Sequence, residues 1–200
     1  GAKDLATPHM DSLAKRGVRF TQFYAASAIC SPSRVGLMTG RTPQHGGLKH
    51  NVPLNSVGMP SSQITIAEEL KKAGYTTAHI GKWHIDEDPA RYGYDLHDGI
   101  TKNKEGDFDN NPSQWKGYAE EDPKRVDSLT ARGIAFMRES TEKQQPFFLQ
   151  LSHYAVHSNI VYSESSFAEV ALREKGKLHN DQGYAAMVQD MDLSIGTLLD

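Results

Sequence analysis

The sequence predicts an α/β fold, with a mostly parallel central sheet flanked by helices. Three observations point there. Helical and strand-like segments alternate along the chain. Several helices open on a Thr or Ser cap and stop at Gly. The run Phe147-Phe148-Leu149-Gln150-Leu151 follows a helix-breaking Pro146 and reads as a buried strand. No internal repeat or low-complexity block interrupts the pattern.

Each element has its own signal. Thr7 and Pro8 supply an N-cap and a first-turn proline, and Gly17 ends that helix. Residues 18–24 alternate apolar and polar, which predicts a strand or extended segment. Ser31-Pro32 opens a second helix, which runs to Gly40. Thr65 and Glu68 form a capping box for a helix carrying Ile66, Leu70 and Ala73 and stopping at Gly74. Residues 75–80 read as a strand with Gly81 at its end. Residues 86–123 are rich in Asp, Asn, Gly and Pro and read as a long loop or insertion. Residues 126–141 form a helix with Val126, Leu129, Gly133 and Phe136 on one face. Residues 158–180 read as irregular. Tyr184, Val188, Met191, Ile195 and Leu198 recur at the spacing of an amphipathic helix.

Composition narrows the function classes. The 200 residues are 38% hydrophobic and 24% charged, with 17 Gly and 9 Pro, which excludes a coiled coil, a collagen and a disordered tail. A net charge of −3 creates no strong field toward nucleic acid or an acidic membrane. Cys30 is the one cysteine, so an internal disulfide cannot form. No apolar run approaches the roughly 20 residues of a membrane helix, and residues 1–7 do not read as a signal peptide. Both ends read as cut: a helix signal begins at once, and Asp200 falls inside an apolar helical pattern. The expectation is a piece of a larger protein.

Ligands of parallel sheets bind past the carboxyl ends of the strands. Three strand ends carry cationic or proton-shuttling groups. The first is Cys30-Ser31-Pro32-Ser33-Arg34, continuing to Arg41. Pro32 marks a helix start whose amide groups and partial positive charge suit an anion. A Cys there is expected to have a lowered pKa, and Arg34 lies one turn on. The alternative is a buried structural Cys with Arg34 in an ion pair, and these residues leave both open. The second is Gly81-Lys82-Trp83-His84, where Lys82 and His84 share one side of an extended backbone. They suit an anionic group and a proton transfer, or else a solvated loop packed by Trp83. The third holds His153 and His157. Their i, i+4 spacing could bind zinc on a helix, but the carboxylate of the metalloprotease pattern is missing, and one catalytic or substrate-binding His fits better. Asp86, Glu87 and Asp88 could pair as glycosidase carboxylates, though nothing in their spacing requires it. The cluster Glu120-Glu121-Asp122 reads as a solvated loop. There is no Gly-x-Ser-x-Gly and no phosphate loop ending in Gly-Lys-Ser/Thr.

Taken together, these segments resemble the sulfatase family of the alkaline-phosphatase-like fold. Residues 30–41 match the first sulfatase signature, Cys-x-Pro-x-Arg with a Leu-x-Thr-Gly-Arg ending. Residues 74–84 resemble the second, Gly-Tyr-x-Thr followed by Gly-Lys-x-His. Thr7-Pro8-His9-Met10-Asp11-Ser12-Leu13 resembles the helix before the signature strand. Residues 146–157 resemble the strand ending in a catalytic His, and residues 184–196 the helix after it. The resemblance is weakest across 86–123 and 158–180.

The resemblance implies that residues 1–200 are part of an N-terminal catalytic domain truncated at both ends. It implies hydrolysis of a sulfate ester by formylglycine, made from Cys30 by a formylglycine-generating enzyme. One hydroxyl of the hydrated aldehyde attacks sulfur, and the other then expels sulfate. By the same resemblance Arg34 holds the nucleophile, Lys82 contacts it and the sulfate, and His84 assists the elimination. His157 binds the sulfate or protonates the leaving oxygen, although the family's flanking Pro is absent here, which brings His153 into competition. A divalent metal, usually calcium, is implied, bound in part through the formylglycine oxygen at Cys30. Its other ligands are expected before Thr7 and beyond Asp200.

A sulfated carbohydrate is the expected substrate, since polar loops dominate and no aromatic run suggests a sterol. A rim at 42–56 and 86–111 would supply His45, His50, Asn51, His97 and Asp98, with His50 and His97 as substrate-binding residues. The alternatives are a phosphonate or phosphodiester hydrolase of the same fold and a non-catalytic sulfated-glycan-binding fragment. The expected location is periplasmic or secreted, with no nucleic-acid or membrane partner.

Overall fold

Strand β1 forms at Thr76–Gly81, where the pattern after Gly74 predicts it. The computed structural model describes residues 4–51, 58–106, 112, 115–178 and 180–200. They fall into two compact units. One comprises Thr21–Lys102 and Ala135–Ser152, the other Gly1–Phe20, Asn103–Ile134 and His153–Asp200.

The unit around β1 is an α/β layer. Its helices are α2 at Cys30–Thr39, the single turn α3 at Pro43–Gly46, and α4 at Ile66–Lys72. β1 lies between β2 (Leu96–His97) and β4 (Phe147–Ser152), parallel to both. Being central, β1 is almost wholly buried. β4 was expected to be buried too, but it is half-buried along its length because it forms an edge of this sheet. The capping box at α4 is present: Thr65 Oγ1 accepts from Glu68 N, and Thr65 N donates to Glu68 Oε2 at 2.8 Å. Ala67, however, is the residue of α4 that packs inward, while Ile66 is 45% exposed. The core joins Val35 and Met38 of α2 to Ala67 and the rings of Trp83, Tyr92 and Tyr94. Gly36 permits a close approach to α2, since a Cβ there would meet the Ala26 Cβ at 2.6 Å.

The other unit contains α1 (Pro8–Arg16), β3 (Tyr118–Ala119), β5 (Val161–Tyr162), α6 (Glu164–Ala171) and α7 (Gln182–Leu199). The helix α5 (Val126–Glu142) begins here and ends in the β1 unit. β3 and β5 form a short parallel pair. Residues 158–180 are therefore not irregular throughout. The Ser163 hydroxyl accepts from Ser166 N at 3.1 Å and caps α6, whose Val170 packs against Ala185 and Ala186 of α7. The predicted stripe of α7 is only partly buried. Its buried face instead includes Asp190 and Asp192. Asp192 accepts from His9 N at 3.1 Å and Met10 N at 2.9 Å, so it caps α1 from another helix. Asp190 accepts from Ser163 N and its hydroxyl.

Residues 18–24, predicted as a strand or extended segment, pair into no strand among the described residues. Val18, Phe20, Phe23 and Tyr24 are 72–79% exposed. Alternation favours a strand only when one face is covered, and among the described residues these side chains are not buried.

Candidate active site at the carboxyl end of β1

Helix α2 starts two residues earlier than predicted, with Ile29 extended at its N-cap and Cys30 as its first residue. Pro32 fits the first turn because amides there have no intrahelical partner. One of these amides, Ser31 N, donates instead to Asn51 Oδ1 at 3.0 Å. Gly40, in the left-handed region at φ 64°, closes the helix by donating to Gly36 O.

The chain leaves β1 through Gly81, at φ 96°, and Lys82 follows at once. Lys82 is 3% exposed, and its Nζ lies 3.2 Å from Cys30 Sγ. Its backbone is held on both sides: Lys82 N donates to Ser152 O at the end of β4, and Arg34 donates to Lys82 O. Arg34, one turn on from Cys30, thus grips a carbonyl of the second strand end. Burial pushes the Lys82 ammonium below the usual lysine range, and the Arg34 charge acts in the same direction. The Cys30 sulfur pulls the other way and does not win.

His84 is 7% exposed and takes φ 54°. Its carbonyl accepts from the Ser31 hydroxyl at 2.7 Å, tying it to α2. Its buried Nδ1 has no hydrogen-bond partner among the described residues. Four predicted residues, Cys30, Arg34, Lys82 and His84, thus converge where α2 begins and β1 ends. In the sequence Ser31 reads only as the opening of a helix; its hydroxyl bond to the second strand end carries no sequence signal.

The remaining predicted residues are more dispersed. His50 is exposed, next to Asn51. His97 ends β2, with Nε2 3.2 Å from Asp88 Oδ1 and Nδ1 accepting from Gly99 N at 3.1 Å. Asp98 Oδ2 accepts from Gly81 N at 2.8 Å, so one of its oxygens holds the strand end. Residues 52–56 and 107–111 of the predicted rim lie outside the described residues. His157 belongs to the other unit, where its Nδ1 is 2.8 Å from Ser158 O. His153 has a buried Nδ1 without a hydrogen-bond partner among the described residues, and burial lowers its pKa against the opposing pull of Asp122.

A family model described as Sulfatase matches residues 1–200. The chain belongs to the sulfatase family. Among curated sulfatases, rat (Rattus norvegicus) N-acetylgalactosamine-6-sulfatase is 30% identical, over 100% of this chain and 42% of its own length. Rat arylsulfatase G is 29% identical, over 97% of this chain and 43% of its own. The chain thus spans less than half the length of these relatives. The crystal structure of Ps i-CgsB matches with a TM-score of 0.81 at 28% identity, covering 100% of this chain and 50% of that one. BT4656, solved in complex with its substrate D-glucosamine-2-N,6-O-disulfate, matches with a TM-score of 0.62 at 26% identity, covering 82% and 32%.

The sulfatase family implies formylglycine and a divalent metal, and the residues here bear on each differently. An ammonium donor beside Cys30 and the amide end of α2 suit an oxygen-bearing side chain at position 30. Among the described residues, no group of three or more His, Cys, Asp or Glu side chains converges to hold a metal.

Proposed function

We propose that the protein hydrolyses a sulfate ester of a sulfated carbohydrate, with formylglycine made from Cys30 as nucleophile. The observation that carries this reading is the buried Lys82 ammonium 3.2 Å from Cys30 Sγ, at the amide end of α2. Formylglycine, once installed by its generating enzyme, supplies a hydroxyl nucleophile toward sulfur. Everything else falls to the chain's own side chains. Lys82 and the partial positive charge at the start of α2 stabilise negative charge on the sulfate and the nucleophile. Arg34 keeps Lys82 in place through its carbonyl. His84, with Nδ1 uncommitted, holds or moves a proton at that nitrogen during the release of sulfate. His157 serves the sulfate or the leaving oxygen.

The substrate class draws on names. One neighbour was solved with a sulfated glucosamine substrate, and another in complex with a neocarrahexaose. Calcium belongs to this reading through the family, with its carboxylates supplied from outside residues 1–200. A periplasmic or secreted location is part of the same reading, and no described helix is long and apolar enough to cross a membrane.

The test uses the full-length protein. Mass spectrometry of the Cys30 peptide should show a loss of about 18 Da relative to cysteine. Sulfate release from an aryl sulfate should exceed turnover of a phosphodiester, and Cys30→Ala should abolish it without changing the melting temperature by more than a few degrees. An active Cys30→Ala variant would remove the nucleophile from the mechanism. Preference for the phosphodiester would reassign the reaction.

A further inference from the structure

Beyond β1 the sheet no longer supports the chain. The ladder to β2 ends at the pair His79 and His97, and the ladder to β4 at Gly81 and Ser152, with one further bond from Lys82 N to Ser152 O. The amides of Trp83 and His84 fall outside both ladders, yet they lie in a buried turn, where an unpaired amide costs about 1–3 kcal/mol. His84 also occupies the left-handed region, which persists in a non-glycine residue only when its surroundings over-determine it.

One residue takes over from the sheet. The Thr101 hydroxyl donates to Gly81 O at 2.6 Å and accepts from Trp83 N at 2.9 Å. The Thr101 carbonyl accepts from His84 N at 2.7 Å. The hydroxyl therefore bonds to the residues immediately before and after Lys82, and the carbonyl to His84. Next along the chain, Lys102 pairs with Asp86 at 2.7 Å and anchors the far side of the same turn. These bonds are all made to peptide atoms, so through them Thr101 acts on the backbone around Lys82 and His84.

We infer that Thr101 is a positioning residue: its hydroxyl, bridging Gly81 O and Trp83 N, aims Lys82 at position 30 and holds His84 in its left-handed conformation. The catalytic meaning of this role rests on the sulfatase reading above, but the geometry itself does not. A single hydroxyl must donate in one direction and accept from the other. Ser can do this, whereas Val, of the same shape as Thr, cannot.

Two readouts separate the positioning role from the catalytic reading. In full-length protein carrying unmodified cysteine, the alkylation rate of Cys30 by iodoacetamide reports on the ammonium beside its sulfur. Thr101→Val should slow it about threefold, because less thiolate is partly offset by a more nucleophilic one. Thr101→Ser should restore it. In full-length protein carrying formylglycine, Thr101→Val should lower kcat for an aryl sulfate at least ~10-fold with KM changed less than about twofold, again with recovery in Thr101→Ser. Circular dichroism checks folding, and if Thr101→Val fails to fold, Thr101→Ala is read in the same assays. Wild-type alkylation and kcat in the hydroxyl-free variant would overturn the inference, even if its melting temperature fell. So would a Thr101→Ser variant as impaired as Thr101→Val. Altered alkylation in a protein whose wild type releases no sulfate would uphold the positioning role and reject the proposed function instead.

Discussion

The Lys82 ammonium meets the Cys30 sulfur at 3.2 Å although the two residues lie 52 apart in sequence. The contact is arranged by backbone on both sides: α2 starts at Cys30, and β1 ends one residue before Lys82. Burial is the larger influence on Lys82, since its pKa falls despite the sulfur beside it. The site thus holds a cation in a place that disfavours charge, as anion catalysis requires.

Lys82→Met should lower sulfate release by at least ~10²-fold while leaving the melting temperature unchanged or raised. The buried charge is lost with its function, and the methionine stem still fills the space. His84→Ala should cost a similar factor in rate. Steady-state assays beside thermal melts decide the matter, and a fully active Lys82→Met variant would show that the cation does not serve the reaction.

The exposed His50 should act on large substrates alone. His50→Ala is expected to raise KM for a sulfated saccharide and to leave a minimal aryl sulfate unaffected, because a small substrate makes no rim contacts. His97 is engaged with Asp88 and Gly99. Its replacement by Ala separates two roles: a KM effect confined to the saccharide marks a substrate contact, and equal loss on both substrates marks support of the loop.

His79 makes the fold acid-sensitive. Its ring stands edge-on to Trp83 and Tyr94, with centroids 4.9 and 5.4 Å away, and neither nitrogen has a hydrogen-bond partner among the described residues. Burial first, and the Arg34 charge second, lower its pKa from 6.5 to about 3. The unfolded chain takes up this proton as pH falls below 6.5, whereas the folded chain does not until about 3. The contribution of a neutral His79 is therefore complete above 6.5 and is lost progressively down to about 3. Between pH 7 and 4 the loss amounts to about 3 kcal/mol. Denaturant unfolding at both pH values should show that His79→Leu loses less stability over this interval than wild type. Parallel losses would mean that His79 takes up its proton in the fold at the same pH as in the unfolded chain.

Asp192 should be worth more than its position in mid-helix suggests. Asp192→Ala leaves His9 N and Met10 N without their acceptor and should cost about 1–2 kcal/mol, with Asn recovering part of it. Urea unfolding measures this directly, and an Ala variant as stable as wild type would show that water caps α1 equally well.

Where a signal was local, the sequence alone determined the outcome. The Thr65–Glu68 capping box and Gly74 place the ends of α4 through bonds made within a few residues, and Pro8 sets the start of α1 by its own fixed backbone angle. The two signatures likewise named Cys30, Arg34, Lys82 and His84, because their spacing is read along one stretch of chain. Tertiary structure decided what depends on partners far away in sequence. Alternation could not tell whether residues 18–24 would find cover, nor could apolarity tell the edge strand β4 from the central β1. The apolar period of α7 could not reveal that Asp190 and Asp192 would be buried, since their stabilisation comes from amides of other segments. The bridging of Gly81 and Trp83 by Thr101 was invisible for the same reason. A hydroxyl in a loop carries no pattern, and its role appears only when folding brings two unpaired peptide groups to within reach of it.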